Sequence, residues 1–243
     1  MDRPSLEAEA RRLAACTACI LRSGCNAPVM GRGNPRAHIV IVGEAPGTEE
    51  DAAGRPFIGD AGKVLSDLLA RAELPEAEVY ITNAVACWPA PTPGSRSKNG
   101  KPPGACVAAC HDLHLTQHLA AIGPRVVVAL GAYATASLDR VSPAMITMGP
   151  VLSVPTSSLA PFAVEVQPHT LLDPEREYSP NDDVPGGVPV LVGYHPAYLA
   201  RLNYWGDRNS VAALSTLAML FEAKRLANGV KRRVGLPIAP EGA

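Results

Sequence analysis

The sequence predicts an α/β fold in which a central, mainly parallel sheet of four strands is covered by helices. Three observations carry that expectation. Four short runs, HIVIV (38–42), VYITNAV (79–85), RVVVAL (125–130) and VPVLVG (188–193), are rich in Val and Ile and continuous rather than alternating, as in strands buried on both faces. Intervals between them carry helical patterns such as AGKVLSDLLARAEL (61–74) and CHDLHLTQHLAAIG (110–123), so the crossovers are helical and the strands parallel. With 243 residues, 47% of them hydrophobic, the chain has apolar material for one sizeable core rather than two.

The N-terminal MDRPSLEAEARRL lacks the apolar centre of a signal peptide, and no stretch is long and apolar enough to span a bilayer. A cytoplasmic protein is therefore expected, in which six cysteines are a poor fit to three disulfides. Cys16 and Cys19 form a C-x2-C pair ahead of the first strand. That strand runs into GEAPGTEEDAAGRPFIGDAG (43–62), five glycines and five carboxylates in twenty residues. The second strand ends in Thr-Asn and is followed by Cys87, then by the basic SRSKNGK (95–101), and CVAAC (106–110) opens the next helical pattern. The third strand meets GAYA. From about 141 to 187 the pattern lapses into a Pro, Ser and Asp rich stretch, read as a surface excursion. The fourth strand runs into YHPAYLAR, and a loose tail follows. The expected organisation is one domain over 1–225 with an irregular insertion at 141–187, and a tail over 226–243. A net charge of −1 argues against a surface made wholly for nucleic acid and leaves room for a local basic groove.

In an open parallel sheet the ligand crevice lies outside the carboxyl ends of the strands, and here each end runs into something chemically distinctive. Glu44, Asn83 and His195 are therefore expected to converge from three strand ends. Singly, an acid in a glycine turn, an asparagine ending a strand and a lone histidine are ordinary; their shared location is not. The cysteines form a second constellation. Four thiolates drawn from Cys16, Cys19, Cys87, Cys106 and Cys110 suit zinc or an iron–sulfur cluster, the spacing being unlike paired zinc-ribbon knuckles, and Cys25 reads as a bystander.

CTAC, GRGNPRAHIVIVGEAPGTEEDAAGRPFIGDAGKVL, VYITNAVACWP, CHDLHLTQ leading to PRVVVALG, and HPAYLAR, in that order, resemble the iron–sulfur uracil-DNA glycosylases of prokaryotes, the family-4 branch of the superfamily. The resemblance covers roughly 13–140 and 188–225. It implies a three-layer α/β/α fold, a 4Fe-4S cluster on Cys16, Cys19, Cys87 and Cys110, and excision of uracil from single- or double-stranded DNA by a monomer associated with the nucleoid. In the family the last cysteine lies seven residues before a glutamine, here Gln117, which selects Cys110 over Cys106; one helical turn separates the two, so an exchange is geometrically open.

The resemblance also implies roles. Glu44 positions the attacking water and supports the cationic sugar, and His195 donates toward the uracil oxygen. Gly43 and Ala45 line the uracil pocket, Phe57 stacks on the flipped base, and Asn83 reads its Watson–Crick edge. In the loop beyond the histidine, Tyr198 and Leu199 enter the duplex, Leu199 as a wedge, and Arg201 holds a phosphate. The chain departs from the family in reading ACWP where KCRP is usual, so Ala86 and Trp88 replace two basic residues. It has no basic loop with a reactive histidine of the kind found in the DNA-trapping branch, and His169 lies in the excursion without such surroundings. These losses weaken attraction to phosphate. Alternatives are therefore a glycosylase for another deaminated or modified base, and a non-catalytic iron–sulfur DNA-binding protein.

Overall fold

A computed structural model describes residues 5–139, 188 and 190–229 of the chain. The 141–187 excursion, with His169, and the tail from 230 onward lie outside the described residues. Nine-residue helix α1 (Leu6–Ala14) opens the fold, its first turn capped by the Ser5 hydroxyl, which accepts from the Ala8 N–H. Strands β1 (Arg32–Gly33), β2 (Ile39–Gly43), β3 (Val79–Asn83), β4 (Val126–Leu130) and β5 (Val190–Gly193) form one sheet in the order β1-β3-β2-β4-β5. The four expected strands are all present and mutually parallel. The sheet has five strands rather than four: β1 pairs antiparallel with β3 at the edge. Two residues carry no periodicity to read. β1 exists because Gly31 and Gly33 allow the chain to lie against Tyr80, and a methyl group on Gly31 would stand 2.3 Å from the Tyr80 ring.

Every residue of β2, β3 and β4 is buried, as continuous apolar strands require. On one face Ile39, Ile41, Ile81, Val126 and Val128 pack against α3 (Asp60–Arg71), α7 (Pro196–Arg201) and α8 (Val211–Ala227). On the other, Val40, Val42, Val127 and Ala129 pack against α5 (Thr116–Ile122) and α6 (Ala132–Asp139). The result is the expected three-layer arrangement. Between Cys110, which ends α4 (Gly104–Cys110), and α5 lies a π turn, His111–Leu115, that makes one bent helix of the second sequence pattern. The last helix runs to Ala227, two residues past the expected domain limit. Chain order reverses at β2, whose sequence successors β3 and β4 flank it on opposite sides, so the crevice of the doubly wound sheet opens beyond its C-terminal end.

Candidate active site

The parallel register sets Gly43 at the end of β2 directly opposite Asn83 at the end of β3. Pairing continues past the strands, with Ala84 N–H on the Gly43 carbonyl at 2.8 Å and Val85 N–H on the Glu44 carbonyl at 3.0 Å. This fixes the backbone that carries Glu44. A side chain on Gly43 has no room, because its Cβ would lie 2.4 Å from Phe57 Cζ and 2.5 Å from Asn83 Oδ1. Glycine is thus required where the Phe57 ring and the Asn83 amide close on the strand end.

Phe57 is held there under strain: it is buried and adopts a φ of 54°, a rare conformation for a bulky residue. The surrounding loop is built by a buried carboxylate of α2 (Thr48–Ala53). Glu50 Oε1 accepts from the N–H groups of Ile58 (3.0 Å) and Gly59 (2.9 Å), and Oε2 accepts from that of Gly47 (3.0 Å). Arg32 donates to the Pro56 carbonyl at 2.9 Å, and Gly62 lets α3 start against the Phe57 carbonyl. The next acid, Asp51, accepts from Asn26 N–H at 3.0 Å and ties the cysteine segment to this loop. Of the five acids in the glycine-rich run, two are therefore architectural.

His195 arrives from β5 as the N-cap of α7. Its Nδ1 accepts from Ala197 N–H at 3.2 Å, which leaves the ring proton on Nε2. The ring lies 6.0 Å from that of Phe57 and packs against Gly131, just beyond β4, whose φ of 85° suits glycine. Burial, reinforced by the Arg201 charge, lowers the His195 pKa to about 4, so the imidazole is neutral at pH 7. Both His195 Nε2 and Asn83 Oδ1 are buried and lack a hydrogen-bond partner among the described residues. Such groups are costly unless something completes them. Glu44 is half-buried beside them. Burial pushes its pKa up to about 7, against the opposing charges of Lys101 and Arg201. Tyr133, on α6, lies close enough for burial and the Glu44 carboxylate together to raise its phenol pKa.

Glu44, Asn83, His195, Gly43 and Phe57 thus come together. Ala45 is half-buried and packs against the cysteine-lined core. In the segment after His195, Tyr198 stacks on Tyr194 at 5.6 Å, and Arg201 is exposed. Leu199 is not placed as a wedge: it is 1% exposed in the core against α3, whereas Leu202 and Trp205 just beyond are 46% and 56% exposed. A six-residue helix was too short to show which face is inward. The basic 95–101 loop is anchored beside the crevice through Asn99, whose Oδ1 accepts from Trp88 Nε1 (2.9 Å) and from Thr48 N–H (3.2 Å). The Trp of the unusual ACWP thereby positions Lys98 and Lys101, a role the sequence did not disclose.

Cys16, Cys19, Cys87 and Cys110 line a single cavity together with Arg22, Ala86 and His114. These are the four expected ligands. Cys106 and Cys25 are absent from the lining, Cys106 lying beside Cys19 and Cys25 beside Cys87. Burial raises the Cys110 thiol to about 11 and also raises Cys87, so a thiolate there needs a positive partner. Among the described residues no group of three or more His, Cys, Asp or Glu side chains stands at the spacing of a single metal ion.

A family model described as the Uracil DNA glycosylase superfamily matches residues 30–217. The chain is 42% identical over 130 residues to the type-4 uracil-DNA glycosylase of Archaeoglobus fulgidus, covering 54% of this chain and 61% of that protein. It is 40% identical over 129 residues to that of Thermotoga maritima, covering 53% and 63%. The chain thus spans about three-fifths of the length of these relatives. To the type-5 uracil-DNA glycosylase of Thermus thermophilus it is 32% identical over 216 residues, covering 82% and 80%.

Proposed function

The chain belongs to the uracil-DNA glycosylase superfamily, and from that premise we propose that it is a monofunctional uracil-DNA glycosylase, taking uracil out of the DNA stack and hydrolysing its N-glycosidic bond to leave an abasic site. The observation that carries this is the pair of partnerless buried atoms, Asn83 Oδ1 and His195 Nε2, set around the Phe57 ring and next to Glu44. A flipped uracil supplies what both lack. Its N3–H donates to Asn83 Oδ1 while the amide N–H donates to O4; cytosine offers a lone pair at N3 and leaves Oδ1 unsatisfied. Phe57 provides the stacking face.

As the bond to the sugar breaks, negative charge gathers on uracil O2 and positive charge on the sugar. The neutral His195 donates its Nε2 proton in a hydrogen bond to O2, a contact that strengthens with the developing charge. Ionised Glu44 holds the water and faces the cationic sugar. Lys98, Lys101 and Arg201, around the mouth, neutralise phosphates on either side of the extruded nucleotide. Exposed Leu202 takes the place in the stack that Leu199 cannot reach.

The four thiols fit an iron–sulfur cluster in donor chemistry: four cysteines, the ligand number of a 4Fe-4S cluster, line one cavity. We assign Cys16, Cys19, Cys87 and Cys110 to a 4Fe-4S cluster, whose irons would be the positive partners of the four thiolates and would fix the N-terminal segment and the end of α4 against the turn after β3. The test is base release from single-stranded oligonucleotides carrying one uracil, hypoxanthine or 5-methyluracil, with alkaline scission of abasic sites. Uracil is expected to be released fastest. Release of another base in preference, or binding without release by cluster-loaded protein, overturns the proposal.

A further inference from the structure

A buried hydrogen-bonded pair reaches the cysteine cavity with no role in the chemistry above. Glu9 of α1 is 2% exposed and His114 of the π turn 4% exposed, and His114 Nδ1 lies 2.7 Å from Glu9 Oε1. Arg12 completes the unit, donating to Glu9 Oε2 at 3.0 Å and to the Leu113 carbonyl at 2.8 Å. A buried pair of this kind rarely stabilises a fold better than apolar residues would, so its presence calls for a use. The other ring nitrogen provides one: His114 Nε2 is buried without a hydrogen-bond partner among the described residues, and His114 lines the cavity with Cys16, Cys19, Cys87 and Cys110.

We infer that His114 is a positioning residue of the cluster, its Nδ1 held by hydrogen bonding to Glu9 Oε1 and its Nε2–H donated to a ligand or inorganic sulfur. This rests on the cluster assignment proposed above. The thiolate set is already complete with four cysteines, so no iron needs an imidazole. A cluster bound by four thiolates is a buried negative centre, and the hydrogen bonds to its sulfurs and the local charge set its potential. With one proton in the Nδ1–Oε1 hydrogen bond and one on Nε2, the ring is anchored at Glu9 and donates toward the sulfurs. Arg22, also at the cavity, adds a cation. The same contact couples α1, which precedes the C-x2-C pair, to the turn that follows Cys110. The π turn carries the residue between them.

The test uses anaerobically purified full chain. Parent protein is first assayed for iron and sulfide, where about four of each is expected; a parent without them fails the cofactor assignment itself, before any variant is made. His114→Phe is then expected to keep its iron while its midpoint potential, followed by EPR, moves to a more negative value. His114→Gln, which retains a donor, restores most of the shift. Unchanged potentials in both variants overturn the inference. In unaltered protein labelled with 15N-histidine, ENDOR of the reduced cluster should show a weakly coupled nitrogen and an exchangeable proton. A strong coupling, or loss of one iron in His114→Phe, makes the residue a ligand and overturns the donor role; absence of any histidine coupling also overturns it.

Discussion

Replacing Gly43 by alanine places a methyl group in space already filled by Phe57 and Asn83, the two residues proposed to contact uracil. The new Cβ would lie 2.4 Å from Phe57 Cζ, 2.7 Å from Phe57 Cε2 and 2.5 Å from Asn83 Oδ1, all below any real carbon contact. Neither neighbour yields cheaply, because Phe57 is fixed by the Glu50-clamped loop and Asn83 by the β2 and β3 register. Overpacking of this kind costs about 1–3 kcal/mol of stability. The catalytic loss is separate. Base stacking is worth about 1–3 kcal/mol and the amide hydrogen bond about 1 kcal/mol, so displacing both removes roughly 2–4 kcal/mol. That corresponds to a fall in kcat/KM of about 30-fold to 1000-fold. The assay is single-turnover uracil release at a temperature where thermal unfolding shows the variant folded. A folded Gly43→Ala protein with the parent rate would refute the placement of Phe57 and Asn83 at the base.

If the proposed role of ionised Glu44 holds, with its pKa raised to about 7, uracil release under single turnover should fall about tenfold from pH 8 to pH 6. Lys101→Ala, which removes a charge that lowers this pKa, should move the limb upward and reduce the salt slope of DNA binding by about one. The stability effect runs the other way: a raised carboxylate pKa favours the fold below its ordinary range and loses that advantage as pH rises through 7, so Glu44→Gln should raise Tm more at pH 8 than at pH 4. For the cofactor, Cys110→Ser should lose the iron–sulfur absorption on purification while Cys106→Ser keeps it, as iron analysis would show. Leu199→Ala should destabilise by about 2–5 kcal/mol in denaturant melts, as a core truncation does, while Leu202→Ala leaves stability within about 0.5 kcal/mol and slows release from duplex DNA.

The strands and the three residues converging at their ends were legible because continuous apolar runs and helical crossovers dictate a parallel sheet, and a parallel sheet dictates where its crevice lies. Glu44, Asn83 and His195 needed no more than that. β1 escaped notice because two residues have no period, and its pairing depends on the space left by Gly31 and Gly33. The purpose of Glu50 was equally invisible. An acid one position from two others reads as solvated until the loop returns Ile58 and Gly59 to its carboxylate. Leu199 was misplaced because six helical residues after a proline do not reveal an inward face. Glu9 and His114 stand 105 positions apart, and only the packing of α1 on the bent helix brings them together. Trp88 read as a lost basic residue, whereas its indole N–H secures the loop that carries two lysines.

The most direct measurement is uracil release from a single-stranded oligonucleotide carrying one uracil, by anaerobically purified protein with Glu44→Ala run alongside at pH 8. Release by the parent and a loss of at least about a hundredfold in the variant is the predicted result, given what a positioned catalytic group contributes. Equal release by both proteins, or none by cluster-loaded parent that still binds the oligonucleotide, would contradict the assignment of this crevice as a uracil-excising site.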